Sequence, residues 1–444
     1  MSKICILGSG IAGLSVAYYL KKYHPTTHIT VLEEEKDSGG VIESSSFDDC
    51  IVEWGPRGIR PKGNGQLVLE MVADLGLWDE LVFADDKAKK RYLYHDNKLQ
   101  VLPYSFFSFL RSPYLSMFLK AFFKDLKAEK VEADETIAEF VDRHFGEELR
   151  RLFFDSMVSG IWAGDVSKMS ISATLPLLKK LEARKGSVIK SMFGYQSEPI
   201  DGKSYPKEIT SKALFSFKNG LQTLVNKLKE ELGDFIIYES NIASINFRDS
   251  SLVCKNGKPY TYDTLISTIP AYKLSPFVFA EMAEDLNSIN YSPVGILNIQ
   301  FNKTQLNFDG FGFLVPSKEK SVVLGMVANS NTFPVHGSDK FHVNTVMLGG
   351  ARYTYTQLKE MDLENESKLF LTKVFGAELK IEKQELRVLE KAIPQYEKGH
   401  LERVERISNA SPVNLKVLGN FMYGVSIIDI VYKSKEYAKS LVLR

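Results

Sequence analysis

Lys3-Ile4-Cys5-Ile6-Leu7-Gly8-Ser9-Gly10-Ile11-Ala12-Gly13-Leu14 opens the chain and decides its fold. Lys3 to Leu7 is the apolar run of a strand buried on both faces, and the glycine turn follows at once. Leu14, Ala17, Tyr18 and Lys21 continue at helical spacing, and His28 to Glu33 reads as a second apolar strand. Gly8 permits the tight turn, Gly10 lets a pyrophosphate approach the backbone, and Gly13 lets the helix lie close on the sheet. The unpaired N–H groups of the helix N-terminus favour an anion there. Glu33 stands 20 residues beyond Gly13, where an acid is needed to accept from a ribose 2′-OH. Glu34 and Glu35 beside it keep open the plainer reading of a solvated strand end. With strand, turn, helix, second strand and acid in register, the segment predicts dinucleotide binding.

A chain of 444 residues is too long for one compact core and predicts two or three domains. Its 44% hydrophobic and 25% charged residues are those of a soluble globular protein. The net charge of +1 argues against nucleic acid as the main partner, because phosphate contacts need a basic excess. The 28 Phe and 20 Tyr suit a large apolar pocket or a membrane-facing surface, and a generous core equally well. Cys5, Cys50 and Cys254 lie far apart without a CxxC pair, so no disulfide framework and a reducing compartment are expected. The seven histidines form no HExxH pair, and no metal site is expected. The early apolar run is interrupted by glycines, so no signal peptide is expected, and no stretch of ~20 uncharged apolar residues occurs, so no spanning helix is expected.

Farther along, Asp37 to Ile42 is a turn with adjacent glycines, and Ile51 to Pro61 is a strand breaking into a Gly/Pro loop of the kind that lays backbone flat against a ring. Asn64 to Leu77 has helical periodicity. Between Lys87 and Lys130, ten Lys/Arg face three Asp/Glu, a local excess of +7, interleaved with Tyr104, Phe106, Phe107, Phe109, Tyr114, Phe118, Phe122 and Phe123. Leu115, Phe118, Leu119 and Phe122 repeat at i, i+3, i+4, i+7 with Ser116, Lys120 and Lys124 opposite. That pattern fits an interfacial helix on anionic lipid, and equally a plain helix of a helical subdomain. Residues 194–212, rich in Ser, Pro, Gly and Lys, read as a loop. Helix then follows over Gly220 to Leu232 and strands over Phe235 to Tyr238, Ile242 to Phe247, Ser251 to Lys255 and Tyr260 to Ile269, so the first domain is expected to be discontinuous. Val294 to Leu348 is rich in strands and fits a separate sheet. Leu415 to Val442 repeats strand, glycine turn and helix, a second helix N-terminus for the cofactor.

Taken together, the chain resembles the amine-oxidase-like flavoproteins over essentially its whole length, and among them the protoporphyrinogen oxidase family. The resemblance is carried by Glu53-Trp54-Gly55-Pro56-Arg57-Gly58-Ile59-Arg60-Pro61, by Gly160-Ile161-Trp162-Ala163-Gly164-Asp165, and by Phe217 to Leu224. Two further stretches, Gly310 to Pro316 and Ile393 to His400, resemble the porphyrinogen oxidases specifically. It implies an FAD site built from Gly8, Ser9, Gly10, Ile11, Ala12, Gly13, Glu33, Gly40, Val41, Gly55, Pro56, Arg57, Gly58, Ile242, Asn420, Val425, Ser426 and Ile427. It implies that Arg91 meets a propionate of a tetrapyrrole and that Phe311, Gly312, Leu314, Val327 and Met347 line the pocket. By its own pattern Arg91 also reads as a solvated member of the run Lys87–Arg91. Val41 departs from the superfamily, many of whose members carry an arginine near the pyrophosphate.

The implied architecture is α/β and α+β: a discontinuous Rossmann-like FAD-binding domain (1–86, 201–275 and 386–444), a helical membrane-contact domain (87–200) and a β-rich substrate domain (276–385). The implied reaction is FAD-dependent oxidation of protoporphyrinogen IX to protoporphyrin IX in haem biosynthesis, flavin N5 taking the hydride and no side chain acting as catalytic base. Dioxygen is the expected reoxidant. A peripheral position on the cytoplasmic side of a membrane is expected, with room for a homodimer. Oxidation of coproporphyrinogen III, amine oxidation, and a catalytically silent FAD-binding protein are the rivals.

Overall fold

The continuous apolar run at the N-terminus forms the middle of a sheet. The computed structural model describes residues 2–103, 106–196 and 200–442; Tyr104, the side chains of Phe106 and Phe107, and residues 197–199 of the expected loop lie outside the described residues. In chain order the elements that position the site are β1 (Lys3–Leu7), α1 (Ile11–Tyr23), β2 (His28–Leu32), β3 (Arg91–His95), β4 (Lys98–Val101), α2 (Leu115–Asp125), α3 (Ile137–His144) and α4 (Asp155–Trp162). There follow β5 (Ile236–Ile237), β6 (Thr264–Ser267), β7 (Tyr291–Asn302), β8 (Gly312–Leu314), β9 (Val323–Val327), β10 (Phe341–Gly349), β11 (Ile381–Pro394), α5 (His400–Ala410), β12 (Leu415–Val417) and α6 (Ile427–Ser440).

Five strands from three distant stretches of chain make a parallel sheet in the order β12-β6-β1-β2-β5. Ile4, Ile6 and Val31 point to one face, under α1, α6 and helices 65–74 and 222–232. Cys5, Leu7 and Leu32 point to the other, against Leu265, Leu274 and Ile407. Helical cover on both faces is why these strands lack polar alternation.

A seven-stranded sheet, β11-β7-β10-β9-β8-β3-β4, stands beside it. Its pairs are antiparallel except β3 with β8, where Arg91 faces Gly312 and Leu93 faces Leu314. Two expected boundaries are corrected here. Arg91 to Val101 belongs to this sheet and not to the helical domain, because β3 fills the edge of β8. A cut between 385 and 386 would sever β11, which pairs with β7 along most of its length. The expected single strand over Tyr260 to Ile269 also divides. Pro259–Thr261 closes a small antiparallel sheet and β6 joins β1, the break falling where Asp263 accepts the Lys3 amide at 2.7 Å and donates its own amide to the Lys3 carbonyl.

The helical block packs Tyr114, Met117, Ala121, Phe140 and Val141 into one core. Its polar centre is His144, 2.6 Å from Asp125 and 3.3 Å from Glu182, all three buried. α2 therefore buries Met117, Ala121 and Asp125 behind the buried Tyr114 that precedes it, and the expected stripe is split: Leu115 and Phe118 are half-buried, while Leu119 (47% exposed), Phe122 (37%) and Phe123 (61%) face outward. No described helix is long and apolar enough to cross a membrane.

Candidate active site

β1 ends at Gly8 with φ +92°, in the left-handed region. A Cβ on Gly13 would sit 1.9 Å from the Gly8 carbonyl oxygen, so only glycine lets α1 lie this close to the turn. Gly10 is different: a Cβ there would meet nothing nearer than the Gly40 Cα at 3.9 Å. Ser9, Ile11 and Ala12 are buried at the start of α1, whose first turn carries no capping side chain and no acid. Ser9 donates its amide and hydroxyl to Glu33 Oε2 at 2.6 and 2.7 Å, and the Glu35 amide donates to Oε1 at 3.0 Å. Glu33 is buried, which removes the reading of a solvated strand end. The Ser240 amide donates to the Glu33 carbonyl at 2.7 Å, so half-buried Ile242 follows close behind the acid. Gly39 bridges to Gly10, leaving Gly40 and Val41 exposed beside the turn, Val41 by 58%.

The Gly/Pro loop reaches the same neighbourhood. A Cβ on Gly55 would sit 1.9 Å from the Val41 carbonyl oxygen, and one on Gly58 3.2 Å from the Phe333 ring. Between them, Pro56 and Arg57 are half-buried. The loop hangs from Glu53, which accepts the Leu221 amide at 2.8 Å and the Ser44 hydroxyl at 2.7 Å; burial pushes its carboxyl up to about 7. One Arg57 NH group lies 3.2 Å from Met347 Sδ, and Nε is buried without a hydrogen-bond partner. Burial lowers the Arg57 guanidinium to about 10, against the opposing charge of Glu53.

From the other end of the chain, Asn420 offers its carbonyl to the Tyr396 hydroxyl. Half-buried Val425 and exposed Ser426 precede Ile427, which is buried with Ile11, Leu14 and Val431. Ser426 caps α6 by accepting the Asp429 amide at 3.1 Å. Thr268 and Ile269 are additional residues of the site: Thr268 donates to the Leu7 carbonyl at 2.7 Å, and Ile269 Cγ2 would lie 3.0 Å from a Cβ on Gly8. Their only sequence signal is a strand end, because parallel pairing of β6 with β1 is what brings them here. The open space over Gly10, the exposed Gly40–Val41, the buried acid at the second strand and the unfilled Arg57 donor fit a dinucleotide whose ring system reaches the Gly/Pro loop.

The expected substrate residues fall largely on one sheet face. Strand register places Arg91, Gly312, Leu314, Val327 and Met347 on the same side, with Gly325 and Thr345 between them. Phe313 and Met326 point to the opposite side, into a separate core. Gly312 has φ +152°, and a Cβ would sit 2.0 Å from the Met326 carbonyl oxygen. Leu314 packs onto α4, where a Cβ on Gly160 would come 2.3 Å from its Cδ2. Phe311 lies just before β8 with the Arg91 guanidinium 5.1 Å from its ring centre. Arg91 is exposed, yet the surrounding protein and then the like charge of Arg60 lower its pKa. Away from this face, His95, Asp96 and Glu319 come together, but the Lys318 ammonium lies 3.0 Å from His95 Nε2 and opposes a cation.

Residues 11–392 match the family model of flavin containing amine oxidoreductases. The chain is 28% identical to a protoporphyrinogen oxidase of Dictyostelium discoideum over 100% of this chain and 99% of that protein. It is 30% identical to the protoporphyrinogen oxidase of Homo sapiens over 99% of this chain and 98% of that one. A crystal structure assigned as a protoporphyrinogen oxidase from Exiguobacterium sp. 255-15 shares the fold with a TM-score of 0.84 at 21% identity, covering 99% of this chain and 98% of that chain.

Proposed function

Given that this chain belongs to the flavin containing amine oxidoreductase family and is an FAD-dependent oxidoreductase, we propose that its substrate is protoporphyrinogen IX, oxidised to protoporphyrin IX in haem biosynthesis. The observation that carries the proposal is the face of the second sheet, where apolar Leu314, Val327 and Met347 end at Arg91 and Met347 touches Arg57 of the Gly/Pro loop. Such a face suits a broad apolar ring with an anionic edge.

FAD, when bound, supplies the two-electron acceptor. The N–H groups opening α1 would meet its pyrophosphate and Glu33 its ribose, with Gly10 and Gly40 leaving room for the approach. Ile242 would lie on the nucleotide side. Gly55 to Gly58 would lie along the ring system, with Asn420 and Val425 to Ile427 approaching from the C-terminal end. Gly312, Leu314, Val327 and Met347 cannot titrate, so their work is to orient the macrocycle and exclude water, and Arg91 holds a carboxylate. Dioxygen accepts the electrons in turnover. The discontinuous first sheet with its helices is a Rossmann-like FAD domain, and β7 to β11 with β3 and β4 form the substrate domain.

Leu110, Leu119, Phe122 and Phe123 lie exposed among exposed Arg111, Lys120 and Lys124, which supports peripheral docking of the helical block on an anionic membrane; the side we propose is the cytoplasmic one. A homodimer is compatible with that arrangement. The test offers protoporphyrinogen IX and coproporphyrinogen III side by side and follows porphyrin fluorescence. Protoporphyrin should form faster than coproporphyrin and far above the uncatalysed rate; the reverse preference would overturn the substrate assignment.

A further inference from the structure

Ile393 to His400 supplies no residue of the apolar face or of the expected FAD set, yet its hydrogen bonds run toward both. Tyr396 is buried, its ring stacked on His400 with 4.2 Å between centres and 14° between planes. Its carbonyl accepts the Ser170 amide of the helical block at 2.8 Å, so ring and backbone are both fixed. The hydroxyl at the far end of the ring donates to the Asn420 carbonyl, and Phe421 beyond it is fully buried. The Asn420 side chain makes no hydrogen bond among the described residues. Tyr396 also shares one core with Leu314 of the apolar face and Val425 of the C-terminal turn.

Gln395 holds the other side. Its side-chain amide donates to the Trp162 carbonyl at 2.9 Å and to the Ile393 carbonyl at 3.0 Å, and its backbone amide donates to the Asn290 carbonyl at 2.8 Å. Trp162 ends α4, where carbonyls have no helical partner. Two residues earlier in α4, Gly160 packs on Leu314. Gly164 keeps the approach open, since a Cβ there would sit 2.9 Å from Gln395 Oε1 and 2.1 Å from Met169 Sδ.

Resting on the functional reading above, we propose that Gln395 and Tyr396 are positioning residues that set the gap between flavin and macrocycle. Tyr396 holds Asn420 against the flavin, and Gln395 holds the end of α4, and through it Leu314, against the macrocycle. Adjacent residues of one strap thus fix the two walls between which the hydride passes. That spacing matters because a misplacement of about 1 Å can cost about a hundredfold in rate.

Two binding measurements on each variant test the division of labour. FAD is titrated into the cofactor-free protein by quenching of its fluorescence, and protoporphyrin IX into the FAD-saturated protein in detergent. Tyr396→Phe keeps the stack and removes one hydrogen bond, so it should weaken FAD about fivefold and leave the porphyrin Kd within about twofold. Gln395→Met should do the reverse. A purely structural role would lower Tm and shift both Kd values together or neither, and either pattern would overturn the proposal. Should a variant fail to fold, hydrogen exchange in the parent decides: FAD should slow exchange over residues 393–400 as well as 420–427, and exchange over 393–400 indifferent to FAD would overturn the strap. All of these failures leave oxidation of protoporphyrinogen by the parent intact. A parent that takes up FAD but neither binds the porphyrin nor oxidises the porphyrinogen would overturn the functional reading together with the role of Gln395.

Discussion

Glu33 closes back on Ser9: one carboxylate oxygen takes both the amide and the hydroxyl of Ser9, at 2.6 and 2.7 Å. The acid at the end of the second strand thus orders the glycine turn of the first, and it is also the acceptor proposed for a ribose. Glu33→Leu should release FAD by both routes, at about 1.5–3 kcal/mol for a charge-assisted bond. Ser9→Ala keeps the carboxylate and should cost less. Flavin content after gel filtration checks this, and equal occupancy in Glu33→Leu and parent would remove Glu33 from the site.

The two glycines flanking Ile11 and Ala12 should fail differently. A Cβ on Gly13 collides with the Gly8 carbonyl, whereas one on Gly10 points into open space. Gly13→Ala should therefore destabilise the cofactor-free protein by ~1–3 kcal/mol through overpacking. Gly10→Ala should leave that stability unchanged and reduce flavin binding. Thermal unfolding of the cofactor-free variants separates them, and equal Tm losses would contradict the assigned roles.

The outward aromatics of α2 should carry membrane binding. Phe122→Asp/Phe123→Asp should abolish flotation with anionic vesicles at low salt, and high salt should weaken flotation of the parent. Unchanged flotation of the double variant would place the contact elsewhere.

The first strand, turn and helix were legible because their signals are local: an apolar run, three glycines and a 3.6-residue period within two dozen residues. The second sheet was legible only in pieces. Arg91 and Gly312 are paired by a parallel contact between distant strands, which no turn signal announces. For the same reason the basic stretch from Lys87 was assigned to a helical domain, although Arg91–His95 and Lys98–Val101 within it are strands. Glu53 looked like an ordinary acid before a loop, and only the packing of Leu221 and Ser44 reveals it as the buried anchor.

Two buried groups should tilt stability with pH in opposite senses. His400 stacks on Tyr396 with ring centres 4.2 Å apart, and burial, followed by the charge of Arg403, lowers its pKa to about 4. Its unfolded value is about 6.5, so its neutral form's contribution is present above that pH and is lost as pH falls toward 4. Glu53 has a folded pKa raised to about 7, so its contribution is present below about 4.3 and is lost as pH rises through 7. Chemical denaturation at several pH values should show His400→Phe losing less stability than the parent on acidification from pH ~7 to ~5, and Glu53→Gln losing more. Parallel curves for both variants and parent would contradict these environments.

The most direct test of the central claim is anaerobic mixing of the FAD-loaded protein with protoporphyrinogen IX, and separately with putrescine, while the visible flavin absorbance is recorded. The porphyrinogen should bleach the flavin band and yield porphyrin fluorescence, the diamine should leave the band intact, and Arg91→Ala should slow the bleaching at subsaturating porphyrinogen by roughly tenfold or more. A flavin band that persists with the porphyrinogen, or that bleaches with the amine alone, would contradict the account.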